Sequence, residues 1–312
     1  MKVIDFHCDT ILKLMEDKDK LELKKNKFHI DIEKLKKGNS MSQFFALYVD
    51  LAREGDPLEI CLEMADKFYI ELEKNKGEME IATNYNQLME NYNKGRISAF
   101  LTIEEGGVLK GKLHNLRNLY RLGVRLITLT WNYPNEIGYP NCEKQYMEKG
   151  LTAFGEEVVY EMNKLGMLID VSHLSDKGFY DVAKLSSKPF IASHSNARSV
   201  TNHSRNLTDD MIKILANKGG VTGLNYAKYF LSEVSSCSID DMVRHVKHII
   251  NIGGIDVMAL GSDFDGMTPS TEIEDFCDVL KLIDALKKSG LTESEIEKIC
   301  YKNALRIIKE VI

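Results

Sequence analysis

The sequence contains no run of about 18 apolar residues, so no segment predicts a transmembrane helix. Its first residues enter an apolar strand at once, without the basic stretch and apolar core of a secretory signal peptide. We therefore expect a cytoplasmic protein without a membrane partner. Proline is scarce, with five residues among 312, and no Pro/Gly-rich linker, polar tract or internal repeat is present. We expect residues 1–312 to form a single domain.

An excess of positive charge is also missing. The formal net charge is −6, which gives no reason to expect a nucleic-acid partner. The six cysteines lack CxxC spacing, so we interpret them as packed or free thiols. No glycine-rich stretch ends in the Gly-Lys-Ser/Thr of a phosphate-binding loop, and no Gly-x-Ser-x-Gly motif occurs. Neither nucleotide binding nor a serine nucleophile is indicated.

Strand and helix patterns alternate along nearly the whole chain. Eight apolar segments predict strands, over residues 2–9, 44–50, 98–104, 125–131, 167–173, 189–194, 220–226 and 257–263. Helical spacing of apolar residues predicts helices over 57–75, 113–122, 154–165, 176–186, 208–217, 239–252, 275–288 and 292–301. Gly123, Gly166, Gly219 and Gly290 follow four of these helices, as C′ glycines should. The alternation favours an α/β fold, a single (β/α)8 TIM-type barrel, with a doubly wound open sheet as the alternative.

Residues that bind metals recur where the predicted strands end. Side chains alternate along a strand, so His7 and Asp9 should share one face. Ile4, Phe6 and Cys8 should then point the other way, towards a layer of helices. The later strand ends carry, in chain order, Glu104-Glu105, His173, His194 and Asp263. Such residues at five strand ends predict a site at the carboxyl face of a parallel sheet.

Three of the eight histidines are candidate metal ligands. His7, His173 and His194 each stand at a strand terminus and precede a loop. The others lie on predicted helix faces or polar loops, and we interpret them as structural or solvated: His29, His114, His203, His245 and His248.

The acidic candidates differ in strength. Asp263 closes a run that is too apolar to leave a lone carboxylate uncompensated. Asp265 is interpreted as a turn residue before Gly266. Glu104 is favoured over Glu105 because Glu104 completes the strand, whereas Glu105 begins the Gly-Gly turn.

The number of ligands points to more than one metal ion. Three histidines together with Asp9, Glu104 and Asp263 exceed what a single tetrahedral zinc needs. Two ions that share one carboxylate would use them all. Two ions roughly 3.5–4 Å apart can hold a hydroxide between them and lower its pKa towards neutrality. Such a site hydrolyses amides, esters or phosphates without a side-chain nucleophile.

Seven motifs carry a resemblance to a known family. They are DFHCD (5–9), IEEGG (103–107), LYRLGVRLITLT (119–130), GMLIDVSH (166–173), SHSNA (193–197), SRN (204–206) and GSDFDG (261–266). With them the chain resembles, nearly end to end, the membrane dipeptidase (renal dipeptidase) family of zinc peptidases, within the amidohydrolase-like barrels. The absence of the mammalian membrane-anchoring signals agrees with a soluble bacterial type. The additional Glu105 departs from the family's usual single Glu-Gly-Gly.

The resemblance implies a binuclear site with two Zn²⁺ per chain. His7 and Asp9 would bind one zinc. His173 and His194 would bind the other. Glu104 would be the carboxylate that bridges them. Cobalt and manganese suit similar ligand sets, so the metal in the cell stays open.

The resemblance also assigns residues to the substrate. Asp263 would handle the proton of the attacking water. Arg205 matches the arginine that grips the terminal carboxylate of the substrate, a task that suits its planar fork. Trp131 stands where mammalian members carry a histidine that helps to polarise the substrate carbonyl.

The implied activity is hydrolysis of dipeptides, with D-residues at the carboxyl-terminal position as one possibility. A deacylase or other amidohydrolase acting on N-acyl amino acids at the same site is the alternative. A barrel that binds ligands without catalysis is a third hypothesis. A homodimer is common in the family, but the sequence does not specify the oligomeric state.

Overall fold

Strands and helices alternate in the computed structural model, which describes residues 1–233, 237–269 and 272–312. The strands are β1 (Val3–Cys8), β2 (Ser40–Tyr48), β3 (Met79–Ile81), β4 (Ile97–Glu104), β5 (Val124–Thr128), β6 (Leu168–Asp170), β7 (Ile191–Ala192), β8 (Val221–Leu224) and β9 (Met258–Leu260). The helices are α1 (Thr10–Leu14), α2 (Ile32–Lys37), α3 (Pro57–Lys74), α4 (Tyr85–Asn93), α5 (Leu113–Leu122), α6 (Ala153–Leu165), α7 (Asp176–Leu185), α8 (Asp209–Asn217), α9 (Lys228–Leu231), α10 (Ile239–Gly253), α11 (Val279–Lys288), α12 (Glu293–Glu297) and α13 (Asn303–Val311).

The strands are parallel, and all except β3 close into a ring. β1 pairs with β2 and β9, and the order continues from β9 through β8, β7, β6 and β5 to β4. Pairing of β2 with β4, from Ser42–Ser98 to Tyr48–Glu104, closes the ring. β3 lies beside the start of β4, on the edge that β5 occupies from Leu101 onwards. The predicted (β/α)8 barrel is confirmed, and the open doubly wound sheet is excluded.

Apolar side chains fill the barrel at the amino ends of its strands. The cluster takes residues from every strand of the ring: Ile4, Phe6, Met41, Phe44, Phe100, Leu126, Leu168, Ile191, Val221 and Ala259. The rings of Phe44 and Phe100 stack at 4.5 Å, and Phe6 meets Phe44 edge-on at 4.9 Å. Large buried rings and branched side chains in contact supply most of the favourable free energy of such a core.

Helix α13 closes the amino-terminal end of the barrel. Ile307 and Ile308 join the interior cluster. Arg306 Nη1 donates to the carbonyl of Gly219, before β8, at 2.6 Å, and Asn303 Nδ2 donates to that of Met258 at 2.8 Å. Because α13 covers this end, the site is expected at the opposite end, where the carboxyl ends of the strands lie.

The predicted direction of the side chains in the first strand is wrong at two positions. Ile4 and Phe6 belong to the interior cluster rather than to the layer between strands and helices, whereas Cys8 does lie in that outer layer. The register of β1 against β2 shifts between Asp5 and Cys8. An irregularity of this kind breaks the strict alternation of faces. It lets Phe6 fill the barrel while His7, one residue later, reaches the carboxyl end.

The predicted strands correspond to the eight of the ring, with altered bounds. The second begins earlier, at Ser40, and the segment predicted over 189–194 is a strand only at Ile191–Ala192. The sequence did not predict the short β3 or helices α1, α2, α4, α9 and α13. The helix predicted over 292–301 ends at Glu297 and passes through a π-helical turn into α13. The four glycines predicted after helices all have positive φ.

Within the described residues, no helix combines the length and the apolar character needed to cross a bilayer.

Replacing Phe100 with alanine tests the aromatic stack at the centre of the barrel. We expect F100A to lower the free energy of unfolding by about 3–5 kcal/mol, because the lost contacts leave a cavity that the barrel cannot close. Chemical denaturation followed by circular dichroism measures the change. L280A, at a side chain that is 45% exposed, should have little effect. If F100A lowered the free energy of unfolding no more than L280A does, Phe100 would not be part of a tightly packed stack.

Candidate metal centre

Glu104 lies at the end of β4 with three imidazoles around its carboxylate. Its Oε1 is 3.0 Å from His173 Nε2 and 3.4 Å from His194 Nε2. Its Oε2 is 3.4 Å from His7 Nε2. All four side chains are buried. One carboxylate therefore faces two separate groups of ligand atoms, one through each oxygen.

Two further carboxylates lie beside His7. Its Nε2 is 3.3 Å from Asp9 Oδ2 and 3.9 Å from Asp263 Oδ1. The ligand atoms form three overlapping groups, and within each group they lie within 4.8 Å of one another: His7–Asp9–Glu104, Glu104–His173–His194 and His7–His194–Asp263. The six strand-end residues predicted as ligands or as their neighbours are thus brought together.

The tautomer of His194 follows from its neighbours. Ser193 Oγ donates to Asp170 Oδ2 at 2.5 Å, and the same oxygen lies 2.7 Å from His194 Nδ1. Because the serine proton points to Asp170, Oγ accepts from Nδ1–H of His194. The lone pair of His194 is then on Nε2, which faces Glu104. Asp170 also accepts from Thr128 Oγ1 at 2.6 Å, so its carboxylate is fixed.

His173 is oriented by a different residue. Its Nδ1 is 3.2 Å from Asn132 Oδ1, an atom that only accepts. Nδ1 therefore carries the proton, and the lone pair is on Nε2. This nitrogen lies 3.1 Å from Nε2 of His194. Hydrogen bonds of this type fix the orientation of metal-binding imidazoles. Asn132 was not among the predicted site residues, because a single loop asparagine carries no signal of its own.

Carboxyl groups are concentrated in the centre, and their burial and proximity raise the pKa of two of them. Burial, with the Glu104 charge beside it, raises the pKa of Asp9 to about 8, and the same causes raise the pKa of Asp263 to about 6. Burial alone would lower the pKa of His7, but Glu104 and Asp9 hold it well above its ordinary value. Burial also lowers the pKa of His173 to about 4. The buried carboxylates thus favour a positive charge among them, while the imidazole of His173 stays neutral.

The centre also has the features of a site for cations. Three buried atoms have no hydrogen-bond partner among the described residues: Nδ1 and Nε2 of His7, and Oδ1 of Asp9. A Cβ at Gly266 would lie 2.2 Å from Asp9 Oδ2 and 2.8 Å from Asp263 Oδ1, so glycine is needed to leave room for these carboxylates. Buried polar atoms normally have partners. Neutral imidazole and carboxylate are the donors that divalent zinc and its neighbours prefer.

Glu105 lies apart from the cluster. Its Oε1 accepts from Gly107 N at 2.6 Å and from Asn135 Nδ2, and its Oε2 accepts from Trp131 N at 2.9 Å. Burial raises the pKa of Glu105 to about 7, although these three hydrogen bonds lower it. The preference for Glu104 over Glu105 agrees with this geometry. Asp265 accepts from Thr10 Oγ1 and His29 N, which agrees with its interpretation as a loop residue.

A cavity of about 340 Å³ opens onto the cluster. Arg205 lines it with only 4% of its surface exposed, and its guanidinium lies 5.3 Å from the ring centroid of Phe230. Its Nη1 and Nη2 make long hydrogen bonds of 3.4 Å, and its Nε has no partner among the described residues. Trp131 also lines the cavity, with its ring edge-on to Tyr48 at 4.8 Å.

One of the five histidines that were expected to be structural or solvated lies at the cavity. His203, expected to be structural or solvated, lines the cavity and packs on Phe230 at 4.7 Å. His245 is buried and accepts from Ala197 N, and His29 accepts from Asp265 N. The position of His203 follows from the turn before Arg205, whose N–H donates to His203 Nδ1. Its sequence neighbourhood is polar and gives no sign of a cavity.

A parallel (β/α)8 barrel with imidazoles and carboxylates buried at the carboxyl ends of its strands is an architecture of metal-dependent enzymes. The chain belongs to the membrane dipeptidase family (peptidase family M19), whose family model matches residues 1–312. It is therefore an enzyme of a metallopeptidase family, and this membership implies a metal cofactor.

Individual relatives cover almost the entire chain. An uncharacterized dipeptidase from Schizosaccharomyces pombe is 31% identical over 333 aligned positions, which cover 99% of this chain and 80% of that protein. The crystal structure of a metallopeptidase from Rhodobacter sphaeroides, liganded with a phosphinate mimic of the dipeptide L-Ala-D-Ala, matches with a TM-score of 0.94 and 28% identity, over 100% of this chain and 99% of that one. The metallopeptidase dipeptidase AC matches with a TM-score of 0.94 and 29% identity, over 100% and 98%.

Removing the Ser193 hydroxyl tests the chain of contacts from Asp170 to His194. We expect S193A to bind metal about 10–100-fold more weakly, because the imidazole loses the acceptor that fixes its tautomer. Competition with a chromogenic chelator gives the affinity. S186A is the control, since the buried Ser186 hydroxyl bonds to Lys188 O and Asn163 instead. Equal affinities for the two variants would show that Ser193 does not orient the ligand.

Proposed function

We propose that this chain is a binuclear zinc dipeptidase. The observation that carries the proposal is the shared position of Glu104: its Oε1 faces the imidazoles of His173 and His194, and its Oε2 faces that of His7. In this arrangement His7 and Asp9 would hold one ion, and His173 and His194 would hold the other. Glu104 would be a ligand shared by both. The family membership supports a metal cofactor and hydrolysis of a peptide bond.

Arg205 is the proposed anchor for the substrate. Its guanidinium is buried in the cavity wall, and its weak hydrogen bonds leave donors for a stronger acceptor. A free carboxylate is the acceptor that its planar fork suits best. The relative from Rhodobacter sphaeroides holds a mimic of L-Ala-D-Ala, which supports dipeptides as substrates, including those with a D-residue at the carboxyl end.

The chemistry at the scissile bond divides between the metals and the protein. When bound, two divalent ions would activate a water molecule and polarise the substrate carbonyl. Asp263 is proposed to take the proton of that water and to pass it to the leaving amine. Its Oδ2 accepts from Asn225 Nδ2 at 2.9 Å, which leaves Oδ1 directed towards His7. Trp131 and Tyr48 border the cavity, and we propose that their rings pack on the substrate and limit access of bulk water.

A deacylase for N-acyl amino acids is the second candidate. Among the described residues, the acidic side chains that line the cavity are Asp9, Glu104 and Asp263, all within the cluster. No other carboxylate in this lining is available to bind a free α-amine. An acylated amine therefore needs no additional group, and Arg205 would hold its carboxylate equally well.

Metal analysis combined with a substrate panel tests the proposal. We expect about two zinc ions per chain, loss of activity after treatment with a chelator, and recovery when zinc is returned. The panel contains L-Xaa-L-Xaa and L-Xaa-D-Xaa dipeptides and their N-acetylated analogues, assayed by release of the carboxyl-terminal amino acid. Faster cleavage of the free dipeptides supports the dipeptidase, whereas faster cleavage of the acetylated compounds supports the deacylase. A single ion per chain after reconstitution would contradict the bridging role of Glu104.

Replacing Asp263 with asparagine tests the proton transfer. We expect D263N to lower kcat by about 10²–10⁴-fold, because an amide cannot accept the water proton. Steady-state kinetics and metal analysis of the same preparation separate this loss from loss of metal. D31N is the control, since Asp31 is a buried carboxylate that caps α2. Normal turnover by metal-loaded D263N would show that another group accepts the proton.

A further inference from the structure

Glu105 is a buried carboxylate next to the proposed bridging residue, but it forms its hydrogen bonds with groups outside the cluster of candidate metal ligands. The chain leaves β4 at this point with a φ of 109° at Glu105, which directs successive side chains to different surroundings. Positive φ is unfavourable for a residue with a Cβ. The local backbone would therefore favour glycine, so the glutamate side chain must contribute something that offsets this strain.

The contacts of Glu105 join two segments. Gly107 N donates to Oε1 on the side of β4. From the segment after β5, Trp131 N donates to Oε2 and Asn135 Nδ2 donates to Oε1. We call residues 131–135 the tryptophan loop. A single carboxylate thus fixes both ends of this loop against the end of the strand that carries Glu104.

The tryptophan loop contacts the metal centre and the cavity. Asn132 Oδ1 accepts from His173 Nδ1 and so sets the direction of that imidazole. The ring of Trp131 lines the cavity, with its centroid 6.2 Å from that of His173. Any displacement of the loop would therefore change both the orientation of His173 and one wall of the cavity.

We infer that Glu105 is a positioning residue, which holds the tryptophan loop so that Asn132 orients His173 and Trp131 forms the cavity wall. The inference about His173 and the wall concerns geometry alone. Its effect on turnover rests on the proposed dipeptidase activity.

The chain provides a direct probe of the loop. Trp131 is the only tryptophan among the 312 residues, so intrinsic fluorescence reports the surroundings of this one ring without any added label. In E105Q the side chain keeps its size but its amide nitrogen cannot accept a hydrogen bond. We expect the emission maximum of E105Q to shift to longer wavelength and acrylamide to quench it more efficiently, because the loop is released towards water.

Two further measurements connect the loop to the centre. We expect E105Q to bind zinc about 10–100-fold more weakly in competition with a chelator, the range found when groups that orient metal ligands are removed. At saturating zinc, we expect KM for dipeptides to rise more than kcat falls, because the cavity wall is displaced while Asp263 is not. A purely structural glutamate would lower the melting temperature and leave all these readouts unchanged in the folded protein.

E71Q is the matched control. Glu71 is another fully buried glutamate with three donors, Leu23 N, Lys67 Nζ and Lys74 Nζ, and it does not line the cavity. We expect E71Q to lower stability without changing Trp131 fluorescence or zinc affinity. If E71Q and E105Q alter these two quantities equally, the inference is overturned.

N135A approaches the same contact from the loop and remains informative if E105Q does not fold. It removes the donor to Glu105 and leaves the carboxylate in place. We expect the same direction of change in fluorescence and zinc affinity, and less than additive effects in the double variant if both fold. Unchanged fluorescence and zinc affinity in whichever single variants fold would overturn the inference. Neither measurement requires a substrate, so a shift in both without dipeptide cleavage would leave the inference standing and reject only the proposed function.

Discussion

The rest of the site depends on a concentration of carboxyl groups that the barrel buries at the carboxyl ends of its strands. Asp9, Glu104 and Asp263 lie in contact with the same imidazole, that of His7, out of reach of most solvent. Isolating even one carboxylate from water costs several kcal/mol unless a positive charge compensates it. The apolar side chains inside the barrel pack against α13 at the amino ends of the strands. This packing holds the carboxyl groups together despite their repulsion. Divalent cations are the natural counterpart of such an arrangement.

The buried carboxylates of this chain fall into two groups that differ in their donors. Asp170 and Glu105 accept hydrogen bonds from backbone N–H groups and from side chains, on both of their oxygens. Asp9, in contrast, has an oxygen without a hydrogen-bond partner among the described residues. Carboxylates that are saturated with donors are satisfied without a metal and serve to fix the backbone and neighbouring imidazoles. Asp9 Oδ1, which has no donor, remains available to a cation, and this agrees with the proposed role of Asp9 as a ligand.

Much of the fold and of the cluster could be predicted from the sequence because both depend on periodicity and on strand ends. Alternating apolar segments predict the eight strands of the ring, and parallel strands place their carboxyl ends at one edge whatever their exact bounds. This rule alone was enough to place His173, His194 and Asp263 at the site. The orientation of Ile4 and Phe6 could not be predicted, because an irregularity inside β1 leaves no mark in the residue pattern. Asn132 and His203 reach the site from loops, where no period relates sequence to direction.

The pair Glu104-Glu105 shows where sequence reasoning reaches its limit. Two identical side chains stand side by side, and residue type gives no reason to assign them different tasks. The separation arises from the backbone, which is extended through Glu104 and takes a φ of 109° at Glu105. Glu105 shares positive φ with His173 and Asp263, two further residues of the site, so the chain turns sharply where several of its strands end. These turns bring side chains from separate strands to one point, and they cost conformational energy that the hydrogen bonds around them offset. Function at this barrel mouth therefore depends as much on how each strand ends as on which residue ends it.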